Sequence, residues 1–179
     1  MPYEHLEGLT IDAIHHWKPK SLFYWDSTAL HCADDFLSKK IKMLEIGVND
    51  ERFPQASIKM WTSFFSEIEF IGFDINELTK KYEKDNVKIF IGDQGNSEDL
   101  KNLINGNEGN FDIIIDDGSH QHSHHILSFL ILEPYLNEGG VYIIEDLHSY
   151  DGHLTIDWFS TNNKKYELLC NNKLLIYKK

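Results

Sequence analysis

Acidic side chains lie at the end of each of five short apolar runs in this 179-residue sequence. The runs have the length and composition of buried β-strands. Because the carboxyl ends of parallel strands lie along one edge of a sheet, the side chains there converge on the region where such sheets bind ligands. The acids are Glu45, Asp74, Asp93, the pair Asp116–Asp117 and the pair Glu145–Asp146. Their placement predicts a ligand site at this edge.

Apolar runs alternate with amphipathic segments from Ile41 onward, which is typical of a parallel α/β sheet. The predicted strands are Ile41–Ile46, Ile68–Phe73, Val87–Ile91, Phe111–Ile115 and Val141–Ile144. Helices are predicted around 58–65, over Asn76–Glu83, from Asn96–Ser97 onward and over Gln121–Leu136, with Gly139-Gly140 turning the chain into the fifth strand. Two last runs, Lys165–Cys170 and Lys173–Tyr177, predict an antiparallel hairpin around Asn171-Asn172. The fold class is therefore α/β, Rossmann-like, with a mostly parallel seven-stranded sheet and a C-terminal antiparallel hairpin.

Composition places this fold in a protein of one main domain. We expect residues 41–179 to form the ligand-binding domain and residues 1–40 to form a helical, aromatic segment that acts as a lid or packing element.

The net charge of -12 argues against nucleic-acid partners and against anionic membrane surfaces. Two cysteines without a CxxC pair indicate no disulfide framework, and Met-Pro-Tyr-Glu-His does not resemble a signal peptide. We therefore expect a cytoplasmic protein.

The first two strand ends indicate a nucleoside site. Gly47 permits a close approach of the backbone to a ligand, and Asp74 is placed to accept hydrogen bonds from ribose hydroxyls. NAD-binding proteins share this feature, but Glu45–Asp50 lacks the later glycines of GxGxxG that cradle a pyrophosphate. S-adenosylmethionine has no pyrophosphate, so it fits the sequence better.

The last two strand ends indicate a metal site and a general base. Asp117, Glu145 and Asp146 would converge if their strands are neighbours, and a hard divalent cation would relieve their mutual repulsion. The alternative is that such acids cap helices or face solvent. His120 lies near the start of the fourth helix, where a histidine can act as general base near neutral pH.

Other histidines follow His120 along the predicted fourth helix. His120 and His124 are one turn apart, but no HExxH-type partner accompanies them. We expect His122 and His125 to lie on a solvated helix face.

The segment from Lys42 to His148 resembles the metal-dependent sugar O-methyltransferases of macrolide antibiotic tailoring. The similar motifs are Leu44-Glu45-Ile46-Gly47, Ser57-Ile58-Lys59-Met60-Trp61, Gly72-Phe73-Asp74-Ile75, Gly92-Asp93-Gln94, Ile115-Asp116-Asp117-Gly118-Ser119-His120 with His124, and Ile144-Glu145-Asp146-Leu147-His148. The resemblance implies that Asp117, Glu145 and Asp146 hold Mg²⁺ or another hard divalent cation and that His120 is the catalytic base. It implies cofactor contacts at Glu45, Gly47, Asp74, Asp93 and Gln94, to which we add Asp116.

The sequence thus predicts an S-adenosylmethionine-dependent O-methyltransferase that acts on a hydroxyl of a sugar or another vicinal diol. The expected partner is a small-molecule acceptor, with neither nucleic acid nor membrane, and a homo-oligomer is compatible with the sequence. Two alternatives stay open. One is a cofactor-binding remnant or partner subunit that has no acceptor site of its own, and the other is a nucleotide-dependent oxidoreductase.

Overall fold

Seven β-strands form one sheet in the computed structural model, which describes residues 39–48, 55–148, 151–169 and 171–179. The strands are β1 (Ile41–Ile46), β2 (Ile68–Asp74), β3 (Val87–Ile91), β4 (Phe111–Asp116), β5 (Leu136–Ile144), β6 (Tyr166–Leu169) and β7 (Leu174–Lys178). The predicted N-terminal segment lies, apart from residues 39–40, outside the described residues. The predicted seven-stranded, mostly parallel sheet is confirmed.

The strand order β3-β2-β1-β4-β5-β7-β6 creates a switch point between β1 and β4. The chain moves outward from β1 to β3 on one side and then returns to place β4 on the other side of β1. Strands β1 to β5 pair in parallel, and β7 pairs antiparallel with both β5 and β6. Crevices at such switch points are where open α/β sheets bind ligands.

The central strands are buried on both faces, as their continuous apolar runs predict. In β1 and β4, five of the six residues are buried. One face carries a core cluster that includes Trp61 and Phe70, and the other carries one that includes Phe129 and Phe159. The register aligns Ile46 with Asp116 and brings the acidic strand ends to one edge.

Four α-helices cover the sheet in the described part of the chain. They are α1 (Ala56–Phe64), α2 (Ser97–Asn107), α3 (His122–Leu132) and α4 (Gly152–Thr161). Helix α2 begins where predicted, and Asn96 caps it, because its side chain accepts a hydrogen bond from the Glu98 backbone N–H. None of the described helices has both the length and the apolar character that a membrane crossing requires.

The structure differs from the prediction at three segments. Helix α3 stops at Leu132, and β5 already starts at Leu136, because Pro134 has no backbone N–H to continue the helix and instead sits in a short 3-10 turn. Gly139 and Gly140 consequently lie inside β5. The segment predicted as a helix over Asn76–Glu83 forms a 3-10 helix, Glu77–Tyr82, and helix α4 was not predicted.

Candidate functional site

Three side chains that follow β4 and β5 meet at the edge of the sheet. One ligand atom from each of Asp117, His120 and Asp146 lies within 4.8 Å of the others. The Nε2 atom of His120 is 4.0 Å from Oδ2 of Asp146, and Nδ1 of His148 is 3.6 Å from Oδ1 of the same carboxylate. All three members of the group are partly exposed, so a ligand from solvent can reach them.

Two members of this group have a backbone conformation that side chains rarely adopt. His120 has φ 58° and Asp146 has φ 56°, both in the left-handed region. Such residues cost on the order of 1 kcal/mol or more each and persist where the surrounding structure imposes them, often at functional sites. Their occurrence on both sides of one group supports a functional role for the group.

Gly47 explains how the loop after β4 reaches its position. Its φ is 82°, and a Cβ atom added there would lie 2.2 Å from the carbonyl oxygen of Asp117. The Asp117 backbone N–H also donates a hydrogen bond to the Ile46 carbonyl at 3.0 Å. The close backbone approach predicted at Gly47 therefore exists, but in this structure its partner is the Asp117 backbone.

Glu145 is placed differently from its predicted partners. It is 5% exposed and does not belong to the group of three ligand atoms. Its backbone N–H donates to the Asp116 carbonyl at 2.9 Å, which continues the pairing of β4 with β5. The structure thus brings Asp117 and Asp146 together with His120, and the role of Glu145 as a metal ligand stays a prediction.

The carboxylate of Asp74 organises the end of β2. Its Oδ2 accepts a hydrogen bond from the Val48 backbone N–H at 3.0 Å, and its Oδ1 accepts one from the Asn76 backbone N–H at 2.8 Å. Of the other predicted cofactor contacts, Glu45 is 1% exposed, whereas Asp93 faces solvent.

Gln94 and Asp116 are buried and bind each other. The amide nitrogen of Gln94 donates to both carboxylate oxygens of Asp116, at 2.7 and 2.8 Å. Burial raises the pKa of Asp116 to about 6, although the hydrogen bonds from Gln94 oppose the rise. Both side chains connect the loops around the site, and their predicted contact with a cofactor stays a prediction.

The prediction that His122 and His125 lie on a solvated face is wrong. His125 is fully buried and His122 is half-buried, because α4 packs against this side of α3. The Nδ1 atoms of both rings lie 3.2 Å from the hydroxyl of Thr155 in α4. Burial lowers the pKa of His125 to about 4.

Three residues at or beside the site, Ser119, His124 and Thr155, had no role predicted from the sequence. The hydroxyl of Ser119 lies 2.8 Å from Nδ1 of His124, beside the group of three side chains. The sequence singled out His124 only for its spacing from His120 and as part of a similar motif. Its contact with Ser119 could have been predicted, because both residues lie near the start of the same helix. No sequence feature indicated the role of Thr155, because helix α4 itself was not predicted.

Comparisons with known proteins were made by sequence and by structure. No protein-family model matches the chain. The mycinamicin VI 2''-O-methyltransferase of Micromonospora griseorubida is 37% identical over 116 residues, which are 63% of this chain and 29% of that protein. The demethylmacrocin O-methyltransferase of Streptomyces fradiae is 35% identical over 116 residues, with the same coverage of each chain. The chain therefore spans less than a third of the length of the curated relatives it matches.

Solved structures of methyltransferases superpose on this chain. The MycE methyltransferase in complex with Mg, SAH and mycinamycin VI superposes with a TM-score of 0.71 at 25% identity, covering 84% of this chain and 48% of that one. The TDP-rhamnose 3'-O-methyltransferase CalS11 superposes with a TM-score of 0.61 at 11% identity, covering 84% and 76%, and shows the fold alone. The predicted resemblance is confirmed: over the part that it spans, this chain is similar in sequence to macrolide sugar O-methyltransferases, and it has the class I Rossmann-like methyltransferase fold.

Proposed function

We propose that this protein transfers a methyl group from S-adenosylmethionine to a hydroxyl of a sugar or another vicinal diol. The observation that carries the proposal is the group formed by Asp117, His120 and Asp146 at the ends of β4 and β5, beside the switch point between β1 and β4. The relatives support it, because their names describe O-methyltransferases that act on mycinamicin VI and demethylmacrocin.

The donor set fits a hard divalent cation. Two carboxylates lie within 4.8 Å of each other and would repel without a cation between them. Oxygen ligands suit Mg²⁺ or Mn²⁺ better than zinc. Asp117 and Asp146 would hold the cation, with Glu145 as the third proposed ligand. A bound cation would lower the pKa of the acceptor hydroxyl.

The cofactor would lie across the ends of β1 and β2. Asp74 binds two backbone N–H groups at the end of β2, and its carboxylate would also accept hydrogen bonds from the ribose hydroxyls. Asp93 is exposed on the next loop and would contact the adenine side. Glu45 and Gly47, at the end of β1, would define the wall near the amino-acid part of the cofactor, while Gln94 and Asp116 would support this wall from the core.

His120 would accept the proton that the acceptor loses. S-adenosylmethionine bound at this edge would supply the methyl group, since its C–S bond would break as the acceptor oxygen forms the new O–CH₃ bond. The proton of the hydroxyl would move to the imidazole of His120, and the Asp146 carboxylate at 4.0 Å would stabilise the resulting positive charge. A general base of this kind contributes roughly 10²- to 10⁴-fold to the rate.

The acceptor is proposed to be small and neutral. The net charge of -12 disfavours nucleic acid and anionic membranes as partners. Vicinal hydroxyls fit the cluster, since two neighbouring oxygens can approach the same cation. A cytoplasmic location agrees with a sequence of two cysteines that predicts no disulfide framework.

A turnover assay tests the proposal. Release of S-adenosylhomocysteine is measured against free sugars, nucleotide sugars, glycosylated macrolides and catechols, with Mg²⁺ or with EDTA. We expect turnover with a sugar-bearing acceptor that EDTA abolishes and that falls at least about a hundredfold in His120→Ala. Binding of cofactor and metal without turnover of any acceptor would instead favour the remnant. Binding of NADH in place of S-adenosylhomocysteine would favour the oxidoreductase.

A further inference from the structure

Ser119 is held by side chains from two other parts of the chain. Its backbone N–H donates to Oε1 of Gln94 at 2.9 Å, and its hydroxyl lies 2.8 Å from Nδ1 of His124. Gln94 comes from the loop between β3 and α2, whereas His124 comes from the first turn of α3. We call these two contacts the Ser119 clasp.

The Ser119 clasp acts on the segment that carries two of the three site residues. Asp117 lies two positions before Ser119, and His120 follows it with φ 58°. Asp116 lies directly before Asp117, and its carboxylate accepts hydrogen bonds from the amide nitrogen of Gln94. The amide oxygen of the same Gln94 side chain accepts the hydrogen bond from the Ser119 backbone N–H. The buried Gln94 side chain thus holds the loop after β4 at two points, Asp116 and Ser119.

Gly95 keeps one contact of the clasp in place. A Cβ atom added to Gly95 would lie 2.6 Å from Nε2 and 2.8 Å from Cε1 of His124. The His124 ring therefore rests against the Gly95 backbone while its Nδ1 atom faces Ser119. A side chain at this position would push the ring away from the serine hydroxyl.

We infer that Ser119 and His124 are positioning residues for the proposed reaction, which they serve by fixing Asp117 relative to His120. Neither belongs to the group of Asp117, His120 and Asp146, so neither is assigned as a ligand or a base. Because Gln94 and Gly95 lie on the loop after β3, the clasp also ties the proposed cofactor side of the site to the proposed metal side. The inference rests on the proposed function for its catalytic part, but its structural part is independent of it.

Amide hydrogen exchange tests the structural part without ligand. In His124→Ala, we expect the backbone N–H of Ser119 to exchange on the order of fivefold faster, the change that follows from losing one neutral hydrogen bond. Amides in the middle of β1 should exchange as in the wild type. His124→Asn should restore slow exchange, because the Asn amide can occupy the place of Nδ1.

Kinetics and metal binding test the positioning role. For His124→Ala, we expect kcat to fall at least about tenfold while KM for S-adenosylmethionine stays within about twofold, since misplacing reacting groups affects the chemical step most. Affinity for Mg²⁺, measured by calorimetry without acceptor, should weaken several-fold. The control is His153→Ala, which removes an exposed histidine from α4 and should change none of these values.

Gly95→Ala should disrupt the same contact between Ser119 and His124, because the added methyl group would displace the His124 ring. If its effect arises from displacing His124, the two substitutions should be strongly non-additive, and Gly95→Ala should be nearly silent in the His124→Ala background. Ser119→Ala should reduce kcat at least as much as His124→Ala, because the Ser119 hydroxyl also accepts a hydrogen bond from the Gln121 backbone N–H at 3.4 Å. These variants keep the inference testable if one of them proves poorly folded.

Two results would overturn the inference. If Ser119 exchange is unchanged in both His124→Ala and Gly95→Ala, the clasp does not hold the loop. If exchange accelerates but kcat and Mg²⁺ affinity stay at wild-type values, the clasp holds the loop without positioning the site. A wild-type protein that neither binds Mg²⁺ nor transfers methyl groups would refute the proposed function and with it the catalytic part of the inference, and the exchange data would still decide the structural part.

Discussion

His120 and Asp146 face each other at the ends of neighbouring strands, with Nε2 and Oδ2 4.0 Å apart and both backbones in the left-handed region. Asp146 follows β5 and His120 lies in the loop after β4, so the parallel pairing of these strands sets their separation. The unfavourable conformations of both residues are imposed by the strands and loops around them. The pair therefore lies at the centre of the proposed site.

The first prediction concerns the two carboxylates of the group. If Asp117 and Asp146 bind a cation, Mg²⁺ should raise the melting temperature, because ligand that binds only the folded state stabilises it. At about a hundredfold excess over Kd the gain is about 2.7 kcal/mol, or roughly 5–10 °C for a domain of this size. Differential scanning fluorimetry with Mg²⁺, Mn²⁺ and Ca²⁺ measures it.

Single variants identify the ligands behind that shift. Asp117→Asn and Asp146→Asn should each abolish it, and Glu145→Gln should abolish it only if the buried Glu145 side chain reaches the cation. If His120 is the base and not a ligand, His120→Ala should keep the shift. A wild-type protein indifferent to all three cations would mean that these acids are merely solvated.

The second prediction concerns Asp74. Asp74→Asn keeps the size of the side chain but removes charge-assisted hydrogen bonds worth about 1.5–3 kcal/mol each. Calorimetric titration with S-adenosylhomocysteine should show affinity at least tenfold weaker. Asp85→Asn, at an exposed position in the turn before β3, is the matched control. Equal affinity in folded Asp74→Asn would remove Asp74 from the cofactor site.

The third prediction concerns Gly47. In Gly47→Ala, the new methyl group would meet the Asp117 carbonyl at 2.2 Å, and φ 82° is unfavourable for alanine. We expect the free energy of unfolding, measured in urea, to drop by at least about 2 kcal/mol. Because Asp117 must move, the Mg²⁺-dependent stabilisation should also shrink. A variant with wild-type stability would contradict the close packing of β1 against the loop after β4.

The fourth prediction concerns the pH dependence of stability. Burial lowers the pKa of His125 from 6.5 to about 4, so the unfolded chain takes up a proton before the folded one does as pH falls. The stability that depends on neutral His125 is complete above pH 6.5 and is lost as pH falls toward 4. Nearby charges on His120, His122, His124 and Asp151 modify the value.

Comparison with His125→Asn isolates this effect. From about pH 7.5 to about pH 5, wild type should lose about 2 kcal/mol of unfolding free energy relative to the variant. Asp116 acts in the opposite direction, because its raised pKa costs stability as pH rises from 3.8 to about 6, but this contribution is common to both proteins. Urea titrations in EDTA measure the difference. If the difference in unfolding free energy between wild type and His125→Asn does not change with pH, the pKa of His125 is not lowered in the folded state.

Local sequence patterns were sufficient for most of the sheet. The bounds of β1 and β3 are those predicted, and the C-terminal hairpin forms around Asn171 and Asn172 as expected. These elements depend on apolar runs and turn residues that lie close together in sequence. The start of β5 was missed because glycines at 139 and 140 indicate a turn, yet β5 runs through both of them.

Contacts between helices that lie far apart in the sequence could not be predicted from local patterns. The burial of His125 depends on Thr155, 30 residues away, and on a helix that the sequence did not predict. The grouping of His120 with Asp117 and Asp146 depends on left-handed backbones that no local pattern indicates. The acids at the strand ends were predictable, whereas their final partners follow from tertiary packing.

The most direct test of the account is a crystal structure of this chain grown with S-adenosylhomocysteine and Mn²⁺, with the metal located by anomalous scattering. We expect ribose hydroxyls bonded to Asp74 and a manganese ion coordinated by Asp117 and Asp146, with His120 facing the acceptor side. A nucleoside bound away from Asp74, or a manganese ion bound to neither Asp117 nor Asp146, would contradict it.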